Sequence, residues 1–159
     1  MIHSLREAVP SDYEGLCALF EEVDALHRAS LPGVFQATGG AVRERAFVEG
    51  MISDPAVGLF VAEADDALVG LMHVVLRTTS GFPILVPRRY ALIESVVIAR
   101  AHRRAGIGRA LMAKAQAWAM DHGASEIELN VWEFNRESIE FYEGLGYQTA
   151  SRKMSRPLR

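Results

Sequence analysis

Residues 91–99, ALIESVVIA, are almost uninterrupted in apolar and β-branched character. Such a run reads as a strand buried on both faces, which restricts the chain to folds in which helices cover a sheet. It leads into RRAGIGRALM (103–112), where two glycines precede Ile107, Leu111, Ala115 and Trp118 at helical spacing. That helix ends at DHG, where Gly123 is placed for a left-handed cap, and EIELNVWE (126–133) supplies the next strand. Strand, helix and strand make a βαβ unit with the glycine turn at its first corner.

The rest of the chain fits around this unit. IHSLREA alternates as a first strand, and Ser11 and Glu14 in PSDYE have the form of a capping box. The helix it starts runs to about His27, with Leu16, Leu19, Phe20 and Val23 on one face. LPGVFQATGG is a loop, and a second helix follows through AVRERAFVEGMI. VGLFVAEADDALVGLMHVVLR reads as two strands turning at Asp65 and Asp66, and TTSGFPILVPRRY as a loop. NRESIEFYEGLG is a last helix, followed by YQTASRKMSRPL. No repeat or linker divides the chain, so the expectation is one domain over 1–159, an α/β (α+β) mixed sheet flanked by helices.

Composition narrows the partners. At 159 residues, 50% hydrophobic and 23% charged, the chain is balanced as a soluble globular protein. Its net charge of −3, from 17 basic and 20 acidic residues, provides no global field for nucleic acid. The single cysteine, Cys17, excludes an internal disulfide and fits a reducing compartment; in EGLCALFEEV it reads as a buried thiol rather than a nucleophile. MIHSLREAVP lacks a signal pattern and no apolar run is long enough for a bilayer, so the expected location is the cytoplasm, with no membrane partner.

RRAGIG at a strand-to-helix corner makes an anion site. First-turn amides point outward, the helix dipole favours negative charge, Gly106 and Gly108 clear the approach, and Arg103 and Arg104 add charge. A phosphate or pyrophosphate is the natural guest; the plainer alternative is a glycine turn with solvated arginines. The pattern is neither a P-loop, since no G-K-S/T follows, nor the G-x-G-x-x-G dinucleotide fingerprint.

Arg103-x-x-Gly106-x-Gly108 after such a strand resembles the R-x-x-G-x-G signature of the GNAT superfamily of acyl-CoA-dependent N-acyltransferases. NRESIEFYEGLGY resembles that family's N-x-x-A-x-x-F-Y-x-x-x-G-F element, with Ser138 for the alanine and Tyr147 for the last aromatic. LNVWEFN and SRKMSRPL match its usual strand-plus-tail ending. The likeness is dense from Ala91 onward and is one of element order before that. The family usually carries a proline and an aromatic before the first arginine, where this chain has Arg100 and His102. The fold implied is a central mixed, mostly antiparallel twisted sheet with flanking helices.

The resemblance implies acetyl-CoA as co-substrate, with no metal. Its pyrophosphate would rest on the backbone of Arg103, Arg104, Ala105, Gly106, Ile107, Gly108 and Arg109. Its pantetheine arm would run beside Val96, Val97 and Ile98, with an amide near Val97 or Ile98 polarising the thioester carbonyl. Asn135, Ser138 and Tyr142 would complete the cofactor contacts, Asn135 also being suited to cap its helix. The chemistry implied is attack of an amine on a thioester. A carboxylate set in an apolar strand, Glu94, suits the general base, directly or through water, and Tyr142 suits the acid that protonates the departing thiolate. A salt bridge from Glu94 to Arg88 or Arg89, and a core role for Tyr142, are the plainer alternatives; His73 and His102 are weaker base candidates.

The function implied is acetyl transfer to a primary amine of a small molecule or peptide in a ternary complex. An inactive acyl-CoA-binding sensor with the same fold and a nucleotide-binding domain of another kind are the alternatives. The acidic stretch FEEVDALH, with Glu21, Glu22 and Asp24, would attract a polyamine or aminoglycoside if it is not simply a solvated helix face. Family members of this size are commonly dimers, which leaves room for a homodimer.

Overall fold

The turn at Asp65 and Asp66 closes the first hairpin. Both residues adopt left-handed angles (φ 50° and 59°), the geometry whose twist matches that of the flanking strands. They join β2 (Val57–Ala64) to β3 (Ala67–Thr78). The computed structural model describes residues 4–40 and 42–158, so Ile2 and His3 of the expected first strand and Ala41 of the expected second helix lie outside the described residues. The chain divides into two units at Leu129.

In the first unit, β1 (Ser4–Glu7), α1 (Tyr13–Ser30) and α2 (Arg45–Ser53) precede the hairpin. After it come β4 (Arg89–Ile98), α3 (Ile107–Asp121) and β5 (Glu126–Leu129). The five strands lie in the sheet in chain order. All ladders are antiparallel except β4–β5, where α3 makes the crossover that a parallel pair requires. This is the mixed, mostly antiparallel sheet expected from the sequence.

Alternation along the strands feeds two apolar layers. Leu59, Val61, Leu71 and Val97 face Leu16, Leu19 and Phe20 of α1 and Val48 and Met51 of α2. The opposite face packs on α3, which buries Ile107, Leu111, Met112, Ala115 and Ala119. Two strand glycines let α3 approach: a Cβ on Gly70 would meet Ile107 and Leu111 at 3.1 Å, and one on Gly58 would meet the Trp118 ring at 3.1 Å. The helix ends as anticipated, with Gly123 at φ 77° donating to Met120 and Ala124 donating to Ala119.

Several boundaries differ from the sequence reading. The Ser11–Glu14 box does not form; Asp12 instead accepts from the Val9 N–H at 2.8 Å and pairs with Arg6 at 2.7 and 3.0 Å. The Arg6 hydrogen bonds hold the Asp12 carboxyl below its ordinary range, so this pair ties β1 to the start of α1. α1 continues to Ser30, α2 begins only at Arg45, and β5 stops at Leu129. β4 is not buried on both faces: Glu94 is exposed, for a reason given below. In the second unit, α4 (Arg136–Gly144) forms as expected, while residues 147–158 carry no strand. Among the described residues no helix is long and apolar enough to cross a membrane.

A Cβ on buried Gly58 would also lie 2.8 Å from the Phe60 ring and 2.9 Å from Val74. Gly58→Val is therefore expected to cost about 2–3 kcal/mol by overpacking between sheet and α3. Thermal or urea unfolding reads this directly; an unchanged midpoint would mean that α3 lifts from the sheet without cost.

Candidate active site

The turn before α3 is built from backbone. Arg104 takes φ 62° and Gly106 φ 83°, so the chain makes two left-handed steps before the helix begins. Gly106 is the N-cap; among the described residues no side chain caps it, and its carbonyl accepts from Ala110 at 3.1 Å. The amides of Ile107, Gly108 and Arg109 thus precede the first intrahelical donor, the Ala110 N–H, and are available to an anion. Beyond the position of a Gly106 Cβ there is open space within 4 Å. Ile107 anchors the turn by burying its side chain at the sheet, while Arg104, Ala105 and Arg109 are exposed.

Arg103 is tied back into the fold. Its Nε donates to the Ile98 carbonyl at 3.1 Å, and its Nη2 lies 3.9 Å from Glu22. Glu22 also accepts the Arg100 N–H at 3.2 Å. The arginine thus pins the turn to the end of β4 and to α1, a role that neither the phosphate nor the solvent reading of its side chain described.

β4 changes character at Glu94. Its parallel ladder with β5 covers Tyr90 to Ile93 and stops there. On the β3 side His73 pairs with Ser95 and Val74 with Ile93, so Glu94 is the extra residue of a β-bulge. Beyond the bulge, the Ala99 N–H donates to Val69 at 2.8 Å. By strict alternation Val97 also directs its amide toward β3, whereas Val96 and Ile98 direct theirs toward the edge that β5 has left. The Arg103 bond to the Ile98 carbonyl fits that orientation. Val96 and Ile98 are half-buried and Val97 is buried.

The bulge places Glu94 with groups of β3 rather than in an apolar interior. Its Oε1 lies 3.3 Å from Arg77 Nη2, and the side chains keep 38% and 50% of their exposure. Arg88, expected as an alternative partner, instead binds Glu128 at 2.6 Å and lies over the Tyr90 ring at 4.2 Å. Neighbouring His73 has a buried Nε2 with no hydrogen-bond partner among the described residues. Desolvation pushes its pKa below 6.5; Glu94 opposes this, and Arg43 and Arg77 add to it. His73 is therefore neutral near pH 7. His102 precedes the glycine turn instead, and its buried Nδ1 has no hydrogen-bond partner among the described residues.

The acidic stretch of α1 is spent on internal cations. Glu21 pairs with Arg28, Asp24 with Arg43 at 2.7 Å, and Glu22 with the Arg100 amide. Glu21, Asp24, Arg28 and Arg43 line a cavity of about 330 Å³ together with half-buried Cys17, so the thiol borders this cavity rather than lying in the core.

In the second unit, Asn135 caps α4, its Oδ1 accepting the Ser138 N–H at 3.2 Å. Tyr142 sits against Phe141 and Tyr147, ring centroids 5.4 and 6.0 Å away. Burial pushes its phenol up to about 12, with Tyr147 adding to the shift, so it holds its proton at neutral pH. Gly146, at φ 93°, ends the helix and lets the Tyr147 amide return to the Tyr142 carbonyl at 3.1 Å.

A sequence model described as the acetyltransferase (GNAT) family matches residues 20–147. No curated protein sequence matches the chain. Among solved structures, a mutant of the BH1408 protein from Bacillus halodurans superposes with a TM-score of 0.93 at 22% identity, covering 98% of this chain and 99% of the other. The aminoglycoside N-acetyltransferase AAC(6')-Iy in complex with CoA has a TM-score of 0.74 at 17% identity, with 98% and 99% covered. The aminoglycoside 6'-N-acetyltransferase AAC(6')-IG from Acinetobacter haemolyticus has a TM-score of 0.73 at 14% identity, with 98% of each chain covered.

The state of His73 has a consequence for stability. Its folded pKa is depressed, so as pH falls through 6.5 the unfolded chain takes up the proton first and stability drops until the folded pKa is passed; above 6.5 the residue contributes no pH dependence. In wild type this adds a slope of at most about 1.4 kcal/mol per pH unit. Urea unfolding between pH 7.5 and 5 is expected to show a shallower slope in His73→Gln; equal slopes would mean that His73 is solvated.

Proposed function

The chain belongs to the acetyltransferase (GNAT) family, and from that premise we propose that it transfers an acetyl group from acetyl-CoA to a primary amine of a small molecule or peptide by direct attack in a ternary complex. The observation that carries this reading is that β4 bears a carboxylate at its bulge, runs on from there without a second partner strand among the described residues, and is followed by a helix start with no side-chain cap. The amides of Ile107, Gly108 and Arg109 hold the pyrophosphate, with the charge of Arg104 beside them and Arg103 keeping the turn in place. The pantetheine arm takes the edge of β4 that β5 vacates. Ile98, whose N–H faces that edge, is the donor we assign to the thioester carbonyl.

Glu94 accepts the proton the amine must lose. The nitrogen forms its bond to the carbonyl carbon, the carbon–sulfur bond breaks, and the electron pair leaves on sulfur. Tyr142, kept protonated by burial, gives sulfur its proton. Asn135 and Ser138 serve by shaping the start of α4. The family match runs from residue 20 to 147, across the division at Leu129, which supports one functional domain over 1–159. The free thiol of Cys17 fits the cytoplasm.

The competing reading is a sensor that binds acetyl-CoA without turnover. Release of coenzyme A thiol over an amine panel decides between them: transfer gives amine-dependent thiol, whereas a sensor gives only the hydrolysis background. Calorimetry is expected to show coenzyme A binding in preference to ATP or NAD, and the reverse order would remove the pyrophosphate assignment. Glu94→Gln is expected to lower turnover by about a hundredfold or more, and Tyr142→Phe to lower it by about tenfold. Either variant acting like wild type would remove that residue from the mechanism.

A further inference from the structure

The group assigned as base does not stand free: Arg77 holds it at 3.3 Å, from the adjacent strand and on the same side of the sheet. We propose that the acceptor is a free α-amino acid, its carboxylate taken by Arg77 and its α-amino group by Glu94. The proposal rests on the acetyltransferase reading above.

Arg77 and Glu94 present opposite charges side by side, both reachable from solvent. An α-amino acid presents the mirror arrangement, an ammonium and a carboxylate on one carbon, about the length of one charge-assisted hydrogen bond apart. Inserted between the two side chains, it exchanges one exposed ion pair, of small worth, for two charge-assisted bonds to a ligand. The arrangement also gates the base. In the free protein Arg77 occupies the carboxylate that must accept the amine's proton, and a substrate carboxylate draws the guanidinium away. An amine lacking that carboxylate has to compete with Arg77 for Glu94.

The surrounding charges favour the same class. Arg43 acts on His73 alongside Arg77, and its own partner is Asp24. His73 itself is neutral, and Glu21, Glu22 and Asp24 are engaged with cations or an amide of the chain. No spare acid remains among these to hold a second or third ammonium, so a polycation gains nothing that a zwitterion lacks. The protons balance: the α-ammonium gives one proton to Glu94 and the amine attacks the thioester carbon, the carbon–sulfur bond breaks with sulfur taking the Tyr142 proton, and the second proton lost by nitrogen restores Tyr142, giving an N-acetyl amino acid and coenzyme A thiol.

The test is thiol release from acetyl-CoA with free α-amino acids, the same amino acids as primary amides, and spermidine, in wild type and Arg77→Met. The wild type is expected to favour acids over amides by about tenfold or more in kcat/KM, expressed mainly in KM. Arg77→Met is expected to abolish the preference by raising KM for the acids toward that for the amides. Arg77→Lys, which keeps the charge, is expected to retain part of it. Coenzyme A affinity measured by calorimetry confirms that each variant is folded, and if Arg77→Met fails that check, the wild-type preference and Arg77→Lys decide. Equal use of amides or spermidine by wild type, or an undiminished preference in Arg77→Met, overturns the proposal while leaving acetyl transfer standing. Coenzyme A binding with no thiol release from any amine overturns the acetyltransferase reading and this proposal together.

Discussion

The organisation of this site depends on the break in strand pairing at Glu94. Up to Ile93, β4 is an interior strand with partners on both edges; beyond it, among the described residues, only β3 remains. One inserted residue does two things at once. It turns a side chain out of the ladder, where it meets Arg77 and His73, and it coincides with the point at which the β5 edge is released. A regular strand here would alternate Glu94 into the layer under α3 or hold the edge closed. α3 makes the crossover from β4 to β5, so the strand end that β5 leaves is followed in the chain by the turn and the helix start.

The arginines around that turn divide their work. Arg103 spends its Nε on the Ile98 carbonyl and its charge on Glu22. Removing its charge would therefore act first on the geometry of the turn and only indirectly on an anion bound there. The direct partners of an anion bound there would be backbone amides, fixed by the left-handed steps at Arg104 and Gly106 and by the buried side chain of Ile107. Donors that belong to the backbone need no rotamer ordering on binding, which suits a site whose guest is a flexible cofactor.

Element identity was legible because the patterns were strong. The βαβ unit, the Asp65–Asp66 turn, the cap at Gly123 and the helix begun at Asn135 each rest on local chemistry that tertiary packing did not override. The surroundings of Glu94 were not legible. An apolar run of this length implies burial on both faces, and a bulge leaves no mark in a single sequence because it is defined by the register of a partner strand. The same limit hid Arg77, which lies 17 residues before Glu94 and meets it only across the ladder. His73 was visible as a residue type, but its neutrality comes from desolvation that spacing does not encode. The acidic run on α1 was readable as charge; that each member already had a partner depended on Arg28, Arg43 and the Arg100 amide being folded against it.

Desolvation acts on the buried titratable groups in opposite directions. Burial raises the phenol of Tyr142, so it keeps its proton at neutral pH, and lowers the imidazole of His73, so it stays neutral there. Glu94 differs from both because the bulge leaves it open to water and beside a cation. The availability of Glu94 is therefore governed by what Arg77 is bound to rather than by burial. A base controlled in this way links binding to chemistry: a ligand that engages the guanidinium releases the carboxylate in the same motion. Selectivity for the acceptor and activation of the amine would then arise from one ion pair instead of from two separate sites.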